Sequence, residues 1–337
     1  MRLLLPFLFG ICLFFACKDS PEPFNPDCTF DYTAPAYNLD TLFPYLDPCG
    51  VLTDYTMPER YGYYDACFNP LNNNQIAFVR HDYSTFPVTI ELCTFDFCTG
   101  NLKVLTNVCF LSPDWGAADW IAFRGKDKQI WMIKPNGDSL TQMTFTNSNH
   151  ASPQWDDKGE KILFYETFPQ YFNHIVMNIE GQRLDTIVGL NTPAVNWDGF
   201  NIVTSNRPSS STIYTNYIYL RNSVGDILKT LETIPVPPDN SLDSTVYSLD
   251  IYSNNDLIYW SFPRQINVTN FSGQRGLVAK LTNANWYGRV SVSGDGTKLI
   301  VERTDRKRPD QCVVEERFRL YLMEADGSGE RRIVFPE

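Results

Sequence analysis

From about residue 61 the chain repeats one pattern six times, and this repetition narrows its folding options more than any other feature. One copy runs Leu111-Ser112-Pro113-Asp114-Trp115, then Trp120-Ile121-Ala122-Phe123. The next runs Ala151-Ser152-Pro153-Gln154-Trp155, then Lys161-Ile162-Leu163-Phe164. The last runs Val292-Ser293-Gly294-Asp295-Gly296, then Lys298-Leu299-Ile300-Val301. Every copy keeps an Ile in its middle strand, at 76, 121, 162, 202, 258 and 300, so the intervals are 45, 41, 40, 56 and 42. A period of about 40–45 with four strand-like segments per unit is that of a β-propeller blade. Segments such as Ile162-Leu163-Phe164-Tyr165 are apolar on both faces, which suits a strand sandwiched between neighbouring sheets. Asn136-Gly137 and Asp326-Gly327 offer the positive φ that tight hairpins need. One blade alone cannot bury both faces, so the copies must close on each other. The expectation is an all-β fold: a six-bladed β-propeller of four-stranded antiparallel blades over residues 61–337, with a short N-terminal extension over 17–60. Either Arg332-Ile333-Val334-Phe335 or Val51-Leu52-Thr53 could supply the last outer strand.

Composition agrees. Aromatics reach 14%, and 22 Pro and 19 Gly in 337 residues favour many short strands with frequent turns. The net charge is −11, and it becomes −12 without Arg2; a chain this acidic is a poor nucleic-acid binder, because phosphate neutralisation needs a basic face, and no nucleic-acid partner is expected.

The first 16 residues hold one cation, Arg2, and then an apolar run that is shorter than the roughly 20 residues needed to span a bilayer. They read as an export signal. The run ends at Phe14-Phe15-Ala16-Cys17, which resembles the lipobox of bacterial lipoproteins, with Phe14 standing where Leu is usual. That resemblance implies cleavage before Cys17 and lipidation of its thiol and amino group, hence a lasting membrane anchor. Lys18-Asp19-Ser20 resembles the surface-export tag of Bacteroidota lipoproteins, and Pro21, Pro23 and Pro26 then make a semi-rigid tether. The expected location is the outer membrane.

The repeat itself resembles the TolB-like propeller repeats over about residues 61–337, most closely at Leu320-Tyr321-Leu322-Met323-Glu324-Ala325-Asp326-Gly327. The resemblance implies a protein-binding platform in the bacterial envelope. TolB itself carries an additional α/β domain ahead of its propeller, and only a short extension stands there in this chain.

Catalytic signatures are absent from the sequence. His81, His150 and His174 show no metal-ligand spacing, and neither a Gly-x-Ser-x-Gly elbow nor a phosphate loop occurs. No cofactor and no metal are expected. Once Cys12 and Cys17 are set aside, seven cysteines remain, an odd number for an exported chain. Cys28 with Cys49 could staple the N-terminal segment, and Cys67 with Cys109, on the inner strands of adjacent blades, could approach.

The connections between second and third strands read as long: His81–Thr89, Thr167–Asn173, Ser205–Asn216, Ser261–Gly276 and Thr304–Arg317. In an up-and-down blade these emerge on one face, and long loops over a rigid scaffold are where binding concentrates. Three of them open alike, with Phe86, Phe168 and Phe262 each followed by Pro. Tyr83, Tyr171, Phe172, Arg207, Arg264 and Arg306 lie nearby, and aromatics with Arg are the types enriched at interface hot spots. Each Phe has a second reading, as a cover over the end of its own hairpin. The leading functional expectation is a non-enzymatic, lipid-anchored module that binds an envelope protein or glycan. The alternative is a propeller enzyme of lyase or glycoside hydrolase type working at the central channel, and convergent charged groups there would favour it.

Overall fold

Six four-stranded antiparallel sheets follow one another along the chain in a computed structural model that describes residues 32–36, 54–56, 59–168, 172–188, 195–206, 215–235, 246, 248–252, 256–262, 264–281, 286–307 and 313–336. Two short N-terminal strands, β1 (Thr33–Pro35) and β2 (Asp54–Thr56), precede them. Blade one holds β3 to β6: Tyr61–Asn69, Asn72–Asp82, Thr89–Asp96 and Asn101–Thr106. Blade two holds β7 to β10: Cys109–Gly116, Trp120–Gly125, Ile130–Ile133 and Thr141–Gln142. Blade three holds β11 to β14: Asn149–Trp155, Lys161–Thr167, Phe172–Asn178 and Arg183–Val188. Blade four holds β15 to β18: Val195–Trp197, Asn201–Asn206, Thr215–Asn222 and Ile227–Pro235. Blade five holds β19 to β22: Ser248–Tyr252, Leu257–Phe262, Gln265–Asn270 and Arg275–Lys280. Blade six holds β23 to β26: Trp286–Val292, Lys298–Lys307, Val313–Glu324 and Arg331–Ile333. The first strand of each blade touches the first strands of its neighbours, so β3, β7, β11, β15, β19 and β23 surround the axis. No helix occurs among the described residues.

The six repeat Ile residues all lie on second strands and are fully buried. Each stabilises the fold by about 1.5–3 kcal/mol through apolar burial between blades. Five of them pair with the residue that ends the core of the inner strand, as Ile162 does with Trp155 and Ile258 with Ile251. In blade six that pairing belongs to Leu299, opposite Val292, and Ile300 sits one position further on.

The ring closes in blade six. Arg331–Ile333 is its outer fourth strand, as one of the two sequence alternatives has it, and β1 adds a fifth strand outside it. Val51-Leu52-Thr53 lies outside the described residues, and β2, just after it, pairs in parallel with β25 instead. Phe335 then crosses to blade one, with its ring stacked on Phe78 at 4.5 Å and tilted against Tyr63 at 4.5 Å.

One expected loop is corrected. Ser261–Gly276 is not a long connection, because Gln265–Asn270 is the third strand of blade five and turns back directly after Phe262. Ile266, Asn267 and Thr269 are fully buried and Val268 is half-buried, so both faces of this strand are covered. The apolar run at Leu277 belongs to the outer strand. Much of the Thr304–Arg317 connection is likewise paired, since β24 and β25 continue as a ribbon to Lys307 and from Val313.

Candidate functional site

The axis is lined by one residue from each inner strand, placed alike by register. Cys67, Asp114, Gln154, Asn196, Asp250 and Ser291 face Ala77, Ala122, Leu163, Val203, Tyr259 and Ile300 on their second strands. Two positions earlier come Asp65, Ser112, Ser152, Ser248 and Arg289. Asp65, Ser112 and Ser152 have φ of 51°, 57° and 50°, at bulges that break the inner-strand register. Left-handed residues there re-aim the strand at the lumen.

Side chains from these layers bridge five of the six blade junctions, and Glu302 from the second strand of blade six bridges the other. Asp65 N–H donates to Glu302 Oε2 of blade six at 3.1 Å, and Ser112 N–H donates to Asp65 Oδ2 at 2.9 Å. Trp155 N–H donates to Asp114 Oδ2 at 2.7 Å. The Asn196 amide donates both to Gln154 Oε1 at 2.8 Å and to Asp250 Oδ1 at 3.0 Å. Val292 N–H donates to Asp250 Oδ2 at 2.7 Å, which returns the circuit to blade six. Glu302 reaches the lumen from a second strand because Gly288 lies over it, and a Cβ there would meet Glu302 Oε1 at 2.7 Å.

Arg289 sits among these acids. Its guanidinium is 3.9 Å from Asp114 Oδ1, with side-chain exposures of 16% and 19%. Burial raises the Asp114 carboxyl to about 7 and Asp250 to about 6. Burial, with the neighbouring Asp65 charge, raises Glu302 to about 8. Burial works against the Arg289 charge, and Asp65, Cys67, Asp114 and Asp250 outweigh it and hold the cation firmly. The axis therefore stores protons near neutral pH around one permanent cation. Among the described residues, no group of His, Cys, Asp and Glu is arranged to hold a metal ion.

Above this layer the channel opens as a funnel of about 290 Å³ on the face that carries the first-to-second-strand turns. The Phe-Pro loop of blade one, between second and third strands, lies on the opposite face. There Phe86 is fully exposed. Phe262 is half-buried, set edge-on to Trp260 at 6.3 Å, and packs on the core of blades four and five; it covers its own hairpin. Phe168 is also half-buried and engaged with its surroundings. Tyr83 shares a hydrogen bond with Tyr64, and Phe172 sits edge-on to Tyr165 at 5.6 Å. Arg264 is half-buried and engaged. Tyr171, Arg207 and the Arg306 side chain lie outside the described residues. Among the described residues, the expected aromatic face thus reduces to Phe86 as an exposed apolar group.

Cys67 and Cys109 are free thiols, not a disulfide. Cys109 opens β7 and Cys67 lies near the end of β3, so neighbouring inner strands running the same way hold them at opposite ends. Cys98, which sequence reasoning did not single out, is disulfide-bonded. Cys28 and Cys49 lie outside the described residues, as does Cys17.

No protein-family model matches the chain, and no curated protein matches it. Solved structures do. TolB from Acinetobacter baumannii superposes with a TM-score of 0.58 at 16% identity, covering 77% of this chain and 63% of that one. The fold is that of a TolB-like propeller. The acylaminoacyl peptidase of Pyrococcus horikoshii gives a TM-score of 0.52 at 14% identity, over 81% of this chain and 52% of the peptidase. A chain from a nidogen/laminin complex gives 0.51 at 12% identity, over 80% of this chain and 91% of its own length. The chain thus spans less than two thirds of TolB and about half of the peptidase. At these identities the likeness is one of fold, and the fold occurs in a peptidase as well as in a nidogen/laminin complex.

Proposed function

We propose that the protein is a lipid-anchored, non-catalytic binding module of the cell envelope that docks a protein partner through the face bearing Phe86. The carrying observation is a loop that is held rigid while it presents an apolar ring to solvent. Asp82 accepts from Arg60 Nη2 at 2.8 Å, Ser84 N–H at 2.9 Å and Ser84 Oγ at 2.6 Å. The Arg60 guanidinium, with those Ser84 contacts, holds the Asp82 carboxyl well below the usual carboxylate range. Thr85 Oγ1 accepts from Thr89 N–H at 2.9 Å and so ties the two sides of the loop. An anchor fixed before binding loses little entropy on docking, and a large apolar side chain so placed is hot-spot material. The Ala16-Cys17 junction supports the anchor, and the TolB-like fold supports a platform role.

A second reading has its own observation. The proton-storing carboxyls of Asp114, Asp250 and Glu302 beside Arg289 are equipment for acid–base chemistry, which a propeller enzyme would place at the channel. Their engagement in the interblade circuit favours a structural role.

Phe86→Ala and Phe262→Ala, each measured for thermal midpoint and for partner recovery from native membranes, test the reading. Phe86→Ala is expected to weaken partner binding by about 1–3 kcal/mol with an unchanged midpoint. Phe262→Ala is expected to lower the midpoint and leave recovery intact. Retained recovery with Phe86→Ala rejects the docking face. Cys17→Ser, expected to leave the chain uncut or soluble, tests the anchor separately.

A further inference from the structure

Blade two turns from β8 to β9 through Lys126-Asp127-Lys128, at the same end of the propeller as Phe86. The backbone laces this turn to the links that enter and leave the blade. Lys126 N–H donates to the Val108 carbonyl and His150 N–H to the Lys128 carbonyl, each at 2.9 Å. On the entering side Phe110 is 38% exposed, with the Arg124 guanidinium 5.0 Å above its ring. On the leaving side Phe145 is 77% exposed. Both neighbours of Phe145 are tied to the turn: Thr144 Oγ1 accepts from Ile130 N–H and the Thr146 carbonyl accepts from Gln129 Nε2, each at 2.9 Å. Two aromatic rings thus bracket two lysines on a fixed backbone.

The charge of this end is positive. Lys126 and Lys128 are exposed, and with Arg124 they make no ion pair among the described residues. Asp127, the acid between the lysines, is taken up locally, accepting from the Trp131 indole N–H at 3.0 Å and Gln129 N–H at 3.1 Å. The opposite end exposes Asp119, Asp157, Asp226, Asp256, Asp295 and Asp326 in its short turns. A seven-residue strand such as β11 separates the two ends by about 20 Å. Screening acts over roughly 8 Å at physiological salt, so those acids are little felt around Lys126 and Lys128. Lys is depleted at the centre of protein–protein contacts. Apolar rings interleaved with unpaired cations are instead the composition of a surface that meets a bilayer, where rings enter the headgroup region and cations meet lipid phosphates.

We propose that this end of blade two lies on an anionic membrane, with Phe110 and Phe145 in the headgroup region and Lys126, Lys128 and Arg124 against the phosphates. The proposal orients the propeller, with its acidic funnel turned away from the bilayer. It goes beyond the Phe86 reading and does not rest on it; a partner held in the same membrane meets Phe86 on the neighbouring blade.

The test reconstitutes the full chain from detergent into vesicles of phosphatidylcholine and phosphatidylglycerol in equal parts, and into pure phosphatidylcholine. A fluorescent amino acid replaces Phe145 in one preparation and Leu140, exposed at the opposite end of the same blade, in another. Lipid brominated in the upper acyl chain is expected to quench position 145 about twofold or more in the mixed vesicles and to leave position 140 unaffected. Quenching at 145 is expected to fall by about half or more in pure phosphatidylcholine, and likewise when Lys126→Glu and Lys128→Glu are combined. The change of lipid leaves the protein untouched, so a misfolded variant cannot blur the outcome. Phe86→Ala is expected to keep the quenching, which separates this proposal from partner docking. No quenching at 145, equal quenching at both positions, or equal quenching in mixed and pure phosphatidylcholine vesicles would each overturn the proposal. Loss of quenching in Phe86→Ala would move the contact to blade one and overturn it too.

Discussion

Replacing Arg289 by Met keeps most of the side chain's volume and removes the one cation among Asp65, Asp114, Asp250 and Glu302. At 3.9 Å, and with an effective dielectric near 20, the attraction to an ionised Asp114 is about 4 kcal/mol. Asp114 titrates near 7, so about half of that attraction operates at neutral pH and nearly all of it at pH 9. Removing one partner from a buried charge pair typically costs about 3–5 kcal/mol, because the remaining charges stay uncompensated. At pH 5 the cost should be smaller, about 1–2 kcal/mol, since Asp114, Asp250 and Glu302 hold their protons there. The direction follows from the raised carboxyls. Their folded-state values lie above the unfolded ones near 4, so the stability they contribute is complete below about pH 4 and is lost as pH rises through 6 to 8. The wild-type protein should therefore lose stability across that window, and Arg289→Met should lose it more steeply. Urea denaturation of both forms at pH 5 and pH 8 measures the effect. A penalty equal at the two values, or larger at pH 5, would refute the picture of one cation compensating proton-storing acids.

Phe335→Ala should cost about 3–5 kcal/mol, because the ring is buried against Phe78, Tyr63 and Phe95 at the junction that closes the propeller; thermal unfolding measures it. Gly288→Ala should push Glu302 from its bond to Asp65 N–H and cost about 1–3 kcal/mol, whereas Gly137→Ala, where a Cβ would meet only the Lys103 side chain at 3.9 Å, should cost stability only through its positive φ; the comparison uses the same assay. Cys67, Cys93 and Cys109 should resist iodoacetamide in the folded protein and react in denaturant, since burial raises all three thiols, Cys93 to about 12; mass spectrometry of the alkylated chain reads this out.

The fold was legible because each blade must present an apolar second strand to both neighbours. That demand leaves a fully buried Ile in every copy, and the column of Ile residues gives the blade count directly. Blade five misled because its third strand, Gln265-Ile266-Asn267-Val268-Thr269-Asn270, alternates and so resembles a polar loop, whereas the outer strand around Leu277 carries the conspicuous apolar run. The Phe-Pro loops shared a sequence but not an environment. A short turn folds Phe262 against Trp260, and the longer loop of blade one leaves Phe86 free.

The axial cluster escaped for a different reason. Asp65, Arg289 and Glu302 have no spacing relation, and each alone reads as a surface charge. The available signal was a departure from the repeat: where blades two and three place Ser112 and Ser152, blades one and six place Asp65 and Arg289. A charge in a column that elsewhere holds Ser112, Ser152 and Ser248, on a strand facing the axis, has no route to bulk solvent and must be answered by another charge.

The central claim is that Phe86 touches a partner in the envelope. The most direct measurement places a photo-crosslinking phenylalanine analogue at position 86, and in a parallel strain at Val188, which is exposed on the outer strand of blade three. Both strains are irradiated as intact cells. A discrete adduct from position 86 that position 188 does not form is the expected result. No adduct from position 86, or the same adducts from both positions, would contradict the account.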